Sequence, residues 1–489
     1  MKNKLKFILF ISIIFFCACR KEQSMTTGWE YNNPKNGGFQ VVPYLEQETG
    51  PGLVLIEGGT FAMGRTEQDV LYDWNNVPRR ATVSSFYMDQ TEIRNLDYLE
   101  YLYWINRVYV DYPEVYKKSV PDTLVWRDKL AYNEPLMELY LRHPAYREYP
   151  VVGVSWVQAT DYCAWRTDRV NEYILIREGV LNVNPDQQNE DNFNTAAYLA
   201  GQYEGSVKDN LQDLNPNGAG TRPVKMEDGI LLPSYRLPTE QEWEYAAVGL
   251  IGNTIYENVA ERRLYPWNGH VVRNSDPKML GEMMANFKRG RGDMMGVAGR
   301  LNDNADITAP VTSYWPNDYG LYNMAGNVSE WVMDVYRPLS VEDFNDFRGF
   351  RGNVFKTQRR GEEGEIVEKD SLGRIIMDPV DEQNDKKLSE RRNYRQADNI
   401  NYIDGDKFSS ISYKDEGISE EKEKEGKLMY DYGLTSMIND KARVYKGGSW
   451  KDRAYWMSPG NRRFLDENQS TDYIGFRCAM IRVGSPVGF

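Results

Sequence analysis

Beyond residue 50 the chain never holds one structural period for long. From "GLVLIEGGTFAMGR" onward, short β-like runs, glycine turns and aromatic residues alternate, and only a few segments carry helical spacing. Two of those segments mark their own start. "VSWVQATDYCAWRTDRVN" sets Ser155 and Gln158 at capping-box spacing and gathers Trp156, Ala159 and Cys163 on one face. "RLPTEQEWEYAA" does the same with Thr239 and Glu242, and turns Trp243, Ala246 and Ala247 inward. Cys163 is therefore expected on the buried side of a helix, where it can meet a strand. No internal repeat of roughly 20 to 50 residues is visible, which argues against a solenoid or propeller.

Two stretches interrupt this texture. Residues 173–232 contain "NPDQQNEDNFN" and "NPNGAG", both loop-like, and residues 335–442 contain "DEQNDKKLSERRNYR" and "KDEGISEEKEKEGK", charged segments of mixed sign with few apolar residues. Both read as solvated insertions in a domain spanning 51–489, the second as a flexible loop or a docking element. With 489 residues, 41% of them apolar, the chain can bury one large core or two ordinary ones.

The N-terminus has a different character. Lys2, Lys4 and Lys6 precede twelve apolar or small residues, Phe7 to Ala18, and then Cys19. Twelve helical residues rise about 18 Å against a hydrocarbon core of roughly 30 Å, so residues 1–18 read as a cleaved leader rather than a span. The small residue before Cys19 resembles a bacterial lipoprotein processing site, which would make Cys19 the lipid-bearing first residue. Residues 19–50, rich in Gly, Asn and Pro, read as a flexible tether. Losing the three lysines takes the formal charge from −13 to −16. Nucleic acid is a poor partner for so acidic a chain, whereas basic or metal-bearing partners suit it. Cys163 and Cys478 then remain in an oxidising envelope, where pairing is expected, although spacing alone also allows two separate buried thiols. A bridge would close a loop of 315 residues, for which chain entropy gives roughly 5–6 kcal/mol as an upper figure.

Seven segments in order resemble the formylglycine-generating enzyme, or sulfatase-modifying factor, family. They are "GGTFAMG" at 58–64, "FYMDQTEIRNLDY" at 86–98, "YPVVGVSWVQATDYCAW" at 149–165, "YRLPTEQEWEYAA" at 235–247, "YPWNG" at 265–269, "APVTSYWPNDYGLYNMAGNVSEWVMD" at 309–334, and "RVYKGGSW" with "GFRCA" between 443 and 479. The resemblance implies a single α+β domain with little regular structure, related to the C-type lectin fold. It also implies a structural disulfide between Cys163 and Cys478. In "NMAGNVSEW" it implies a calcium site with side-chain oxygens from Asn323 and Glu330 and carbonyls from Gly326 and Val328, since a hard cation takes six to eight oxygens. A second calcium site maps onto the side chains of Asn286 and Asp303 and the carbonyls of Phe287 and Ala305. Both ions would be structural.

The enzyme of this family carries two cysteines five residues apart after "GGS", which bind copper and activate oxygen. Here those positions hold Asp452 and Met457, a hard carboxylate and a neutral thioether, so no copper is expected. A three-histidine iron site, used by another branch, cannot be assembled from His143 and His270, and no "GxSxG" elbow occurs. The expectation is a non-catalytic member.

A narrower resemblance, to lipid-anchored gliding-motility lipoproteins, is carried by "VPDTLVWRDKLAYNEPLMELYLRHPAYREYPVVGVSW", "RTDRVNEYILIREG" and the long insertion with "FRGN", "EKDSLGR" and "ADNINYIDGD". It implies a scaffold at the periplasmic face of the outer membrane, serving gliding motility and the associated type IX secretion machinery. Its partners would be that machinery's other lipoproteins and envelope proteins. Two alternatives stand beside it. One is an envelope enzyme that modifies exported proteins with a residue set around Asp452, Arg453 and Arg477. The other is a calcium-dependent glycan or peptide binder, given 12 Trp and 34 Tyr.

Overall fold

The computed structural model describes residues 22–65, 75–249, 263–290, 302–303, 305–337, 350–352, 354–380 and 441–484. The leader, Cys19 and the charged segments of the second insertion lie outside the described residues. Among those described, no helix is long and apolar enough to cross a membrane.

The fold is α+β, as the family resemblance implies, with short strands and few long helices. The elements that position the site are ten strands, β1 (Leu53–Ile56), β2 (Gly59–Met63), β3 (Arg79–Val83), β4 (Phe86–Asp89), β5 (Tyr235–Arg236), β6 (Ser329–Val335), β7 (Ala442–Lys446), β8 (Arg463–Asp466), β9 (Ile474–Gly475) and β10 (Ala479–Ile481), and three helices, α1 (Asn95–Val108), α2 (Trp156–Arg177) and α3 (Glu240–Val248). One antiparallel sheet has the order β1-β4-β10-β5, so the late strand β10 lies between two early ones. A second sheet has the order β8-β7-β6-β9, with β6 and β9 parallel. Strands β2 and β3 form a separate hairpin.

The two capping boxes read in the sequence form as expected. Ser155 accepts from the Gln158 N–H while the Gln158 carboxamide accepts from the Ser155 N–H, at 3.2 and 2.9 Å. Thr239 and Glu242 repeat the exchange at 3.2 and 2.9 Å. Each satisfies two otherwise orphaned donors at a helix start. On α2, Ala159, Tyr162 and Cys163 are buried against Tyr98, Tyr101 and Ile105 of α1 and against Phe476 and Met480. On α3, Trp243, Ala246 and Ala247 fill the space between the β2–β3 hairpin and the two sheets, with Phe61, Met88, Val332 and Val444. Full burial of each large apolar side chain contributes roughly 1.5–3 kcal/mol.

The first insertion holds more structure than its composition suggests. Leu175, Val180, Leu181, Phe193, Tyr198, Val224 and Leu231 form a small core of their own. These residues follow no period among the Asn, Pro and Gly turns, so the sequence gives no pattern from which to read them. The described part of the second insertion leans on the first. The Gln202 carboxamide donates to the Val367 carbonyl at 3.1 Å and accepts from the Lys369 N–H at 2.8 Å, and Asn192 donates to the Leu372 carbonyl at 2.8 Å. In the stretch read as a tether, residues 40–48 lie against the domain. Gln40 donates to the Gln212 carbonyl, Gln47 to that of Ile481, and Glu48 pairs with Arg177 at 2.7 Å. These ties are polar, which is why low apolar content concealed them.

Candidate functional site

Strand β7 runs into Gly447, Gly448 and Ser449, and both glycines adopt positive φ, 98° and 67°. A Cβ on Gly448 would sit 3.0 Å from the Trp456 carbonyl carbon and 3.1 Å from the Met457 nitrogen, so the turn needs glycine to fold back on residues 456–457. This loop carries the two positions where the family enzyme has thiols.

Asp452 is clamped. Arg463 of β8 meets its carboxylate with both terminal nitrogens, each at 2.7 Å, and Ser449 Oγ donates to Oδ2 at 2.6 Å. Arg463 is held in turn by Ser329 Oγ at 2.9 Å and lies over the rings of Tyr445 and Trp456, 4.8 and 4.7 Å from their centroids. Burial alone would lower the guanidinium's affinity for its proton, but Asp452 and Tyr445 outweigh it and the net shift is upward. Met457 points elsewhere, fully buried in an apolar cluster with Tyr265, Met283, Ala285, Phe287 and Ala325. A carboxylate already held by a guanidinium and a thioether sunk in the core do not fit reduced copper, which takes converging soft sulfur ligands.

The set Asp452, Arg453 and Arg477 does not come together. Arg453 is exposed and reaches the Arg289 carbonyl at 3.5 Å. Arg477 is fully buried and forks onto Glu330, at 2.7 Å from Nε to Oε2 and 2.6 Å from Nη2 to Oε1. The partner missed in the sequence is Arg463, which β7–β8 pairing sets opposite Tyr445. His143 accepts from the Ala145 N–H at the surface, and His270 is exposed.

The first set of proposed calcium ligands occupies a tight buried loop, in which Asn323, Gly326 and Asn327 have φ of 52°, 79° and 61°. The Asn323 amide donates to Glu92 Oε2 at 3.0 Å and to the Val311 carbonyl at 2.9 Å. Those two acceptors fix which way the amide faces, and its Oδ1 is left buried without a hydrogen-bond partner. An orphaned, aimed oxygen of this kind suits a hard cation. Glu330 is shared, because Trp243 Nε1 also donates to its Oε2 at 2.7 Å, while Oε1 takes one N–H and keeps acceptor capacity. Glu92 nearby is fully buried. That burial, with Glu330 adding to it and Arg477 opposing, pushes its carboxyl up to about 7.

The residues of the second set are held together by hydrogen bonds from N–H groups. The Asn286 amide donates to the Ile307 carbonyl at 2.8 Å, and the Asp303 carboxylate accepts from the main-chain N–H groups of Phe287 and Ala305, each at 3.4 Å. Among the described residues no three His, Cys, Asp or Glu side chains gather as a metal site, so a cation at either place would draw on one carboxylate, Glu330 or Asp303, together with amide and main-chain oxygens.

Cys163 of α2 and Cys478, the residue preceding β10, lie side by side. Both are buried, with sulfurs 3.4 Å apart as thiols, against about 2.05 Å for a bond.

A model of the sulfatase-modifying factor enzyme 1-like domain matches residues 38–376, more than half of the chain. The chain belongs to this family. The glycine turn with Asp452 and Met457 lies beyond the matched residues but packs into the same core. Mouse formylglycine-generating enzyme is 26% identical over 306 residues, 58% of this chain and 58% of that protein, so the chain spans under two thirds of this relative. Mouse inactive C-alpha-formylglycine-generating enzyme 2 is 24% identical over 319 residues, 62% of this chain and 73% of the relative. The chaperone protein LppX of Paenibacillus barcinonensis is 26% identical over 285 residues, 58% and 71% of the two chains. Among solved structures, PvdO from Pseudomonas aeruginosa has a TM-score of 0.40 at 14% identity, and Treponema denticola variable protein 1 has 0.37 at 16%; each comparison covers 88% of this chain and 94% of the other.

Proposed function

We propose that this family member is a non-catalytic, lipid-anchored scaffold of the outer membrane, equivalent to the gliding-motility lipoprotein GldJ and related to GldK and PorK. It would serve gliding motility and type IX secretion. The observation that carries the non-catalytic part is the clamp of Arg463 and Ser449 on Asp452, where the enzyme needs a thiolate. Lipidated Cys19 gives the molecule its address at the periplasmic face, and several acyl chains make that anchoring stable where one is marginal. Two structural calcium ions pin the loops at Asn323–Glu330 and Asn286–Ala305. The second insertion is the docking element for neighbouring lipoproteins and envelope proteins. Its described part supports this by its ties to Gln202 and Asn192, which give a fixed base.

Purified mature protein is incubated with copper, oxygen and a cysteine-containing peptide, with active formylglycine-generating enzyme as control and aldehyde capture as readout. No conversion is expected, and conversion approaching the control's would overturn the non-catalytic reading. Deleting residues 340–435 is expected to leave a folded, lipidated protein that no longer recovers its partners from detergent extracts. Full recovery would remove the insertion as the contact.

A further inference from the structure

We infer that the two calcium sites act as one cooperative unit, coupled through the peptide joining Gly326 to Asn327; this rests on the calcium reading above. The carbonyl of that peptide belongs to the first site, and its N–H, on Asn327, donates to the Asn286 carbonyl at 2.9 Å. The Asn286 carbonyl belongs in turn to the peptide whose N–H, on Phe287, faces the Asp303 carboxylate of the second site at 3.4 Å. Two peptide units thus run head to tail from the carboxylate of one site to a ligand carbonyl of the other. Fixing either end orients both, and hydrogen bonds in such a chain polarise one another.

The contact is close as well as polar. A Cβ on Gly326 would stand 2.4 Å from the Asn286 oxygen, so the two backbones cannot shift independently. A side-chain route runs beside the first. Asn327, fully buried, accepts from the Asn286 amide at 3.4 Å and donates to Glu92 Oε1 at 2.9 Å, and Glu92 Oε2 takes the Asn323 amide that aims Oδ1. Groups that orient ligands in this way set affinity without touching the ion.

The test is calorimetric titration of chelator-stripped mature protein with calcium chloride. Wild type is compared with Asp303→Asn, which disables the second site, and Asn323→Ala, which disables the first. Coupling predicts that each variant binds its remaining ion about tenfold or more weaker than wild type, within the usual range for linked sites, and that wild-type binding is cooperative. Two independent isotherms, with unchanged affinity in the single-site variants, would overturn the coupling while leaving both ions in place. No calcium uptake by wild type would overturn the calcium reading itself, and the coupling with it. Should either variant fail to fold, cooperativity of the wild-type isotherm alone decides the matter.

Discussion

Replacing Asp452 by cysteine returns sulfur to the first thiol position of the family, and the fold should resist it. The substitution removes both carboxylate oxygens that Arg463 grips at 2.7 Å and the acceptor of Ser449. Arg463 and Asp452 side chains are 17% and 13% exposed, so the pair lies between two regimes. Breaking a fully buried pair costs about 3–5 kcal/mol, and an exposed one is worth at most about 1 kcal/mol. Arg463 keeps its bond to Ser329 Oγ and its place over Tyr445 and Trp456, which lowers the cost of stranding it. The expected loss for Asp452→Cys is therefore about 2–3 kcal/mol. Urea unfolding measures it, provided the slope is unchanged. Arg463→Met and the double variant complete a cycle whose coupling should be about 2 kcal/mol. A loss below about 0.5 kcal/mol would mean a screened surface pair, and the clamp would no longer argue against catalysis.

Lys446, wholly buried between Glu240 and Glu244 at 3.2 and 2.8 Å, should cost about 3–5 kcal/mol as Lys446→Met, because two buried carboxylates lose their shared cation. Surface Lys117→Met, with its exposed Glu114 partner, should leave the midpoint of the same urea assay essentially unchanged. Burial first, and then the Glu240 charge, push the Asp334 carboxyl up to about 7. The folded chain thus keeps a proton that the unfolded chain releases near pH 4, and this contribution to stability, complete below that point, is lost as pH rises through 7. Asp334→Asn should accordingly be less costly at pH 8 than at pH 5.5 by denaturation at both pH values. Peptide mapping of non-reduced envelope-derived protein should find Cys163 linked to Cys478, and two free thiols would remove the bridge. Calcium chelation should lower the melting temperature, and an unchanged melting curve would remove the ions.

Local rules were legible where neighbours in sequence are neighbours in space. The capping boxes at Ser155 and Thr239, and the inward faces of α2 and α3, needed only positions three or four apart. The meeting of Cys163 with Cys478 came from family likeness, since nothing local links residues 315 apart. Arg463 escaped notice because its approach to Asp452 depends on which strand pairs with β7. Glu92 read as one acid among many until the fold closed Asn323 and Asn327 around it. The buried group of Lys446, Glu240, Glu244 and Arg462 was hidden for the same reason. Burial of charge is decided by tertiary pairing, which no local period records.

The position of β10 has a consequence for how the molecule must be made. Residues 479–481 fill the slot between β4 and β5, strands completed hundreds of residues earlier. Until they emerge, the first sheet stays split, with two open edges ready to pair with the wrong chain. Helper proteins that shield those edges would matter most in the interval before β10 arrives, and a stop codon shortly upstream of it should yield aggregates rather than a slightly smaller domain.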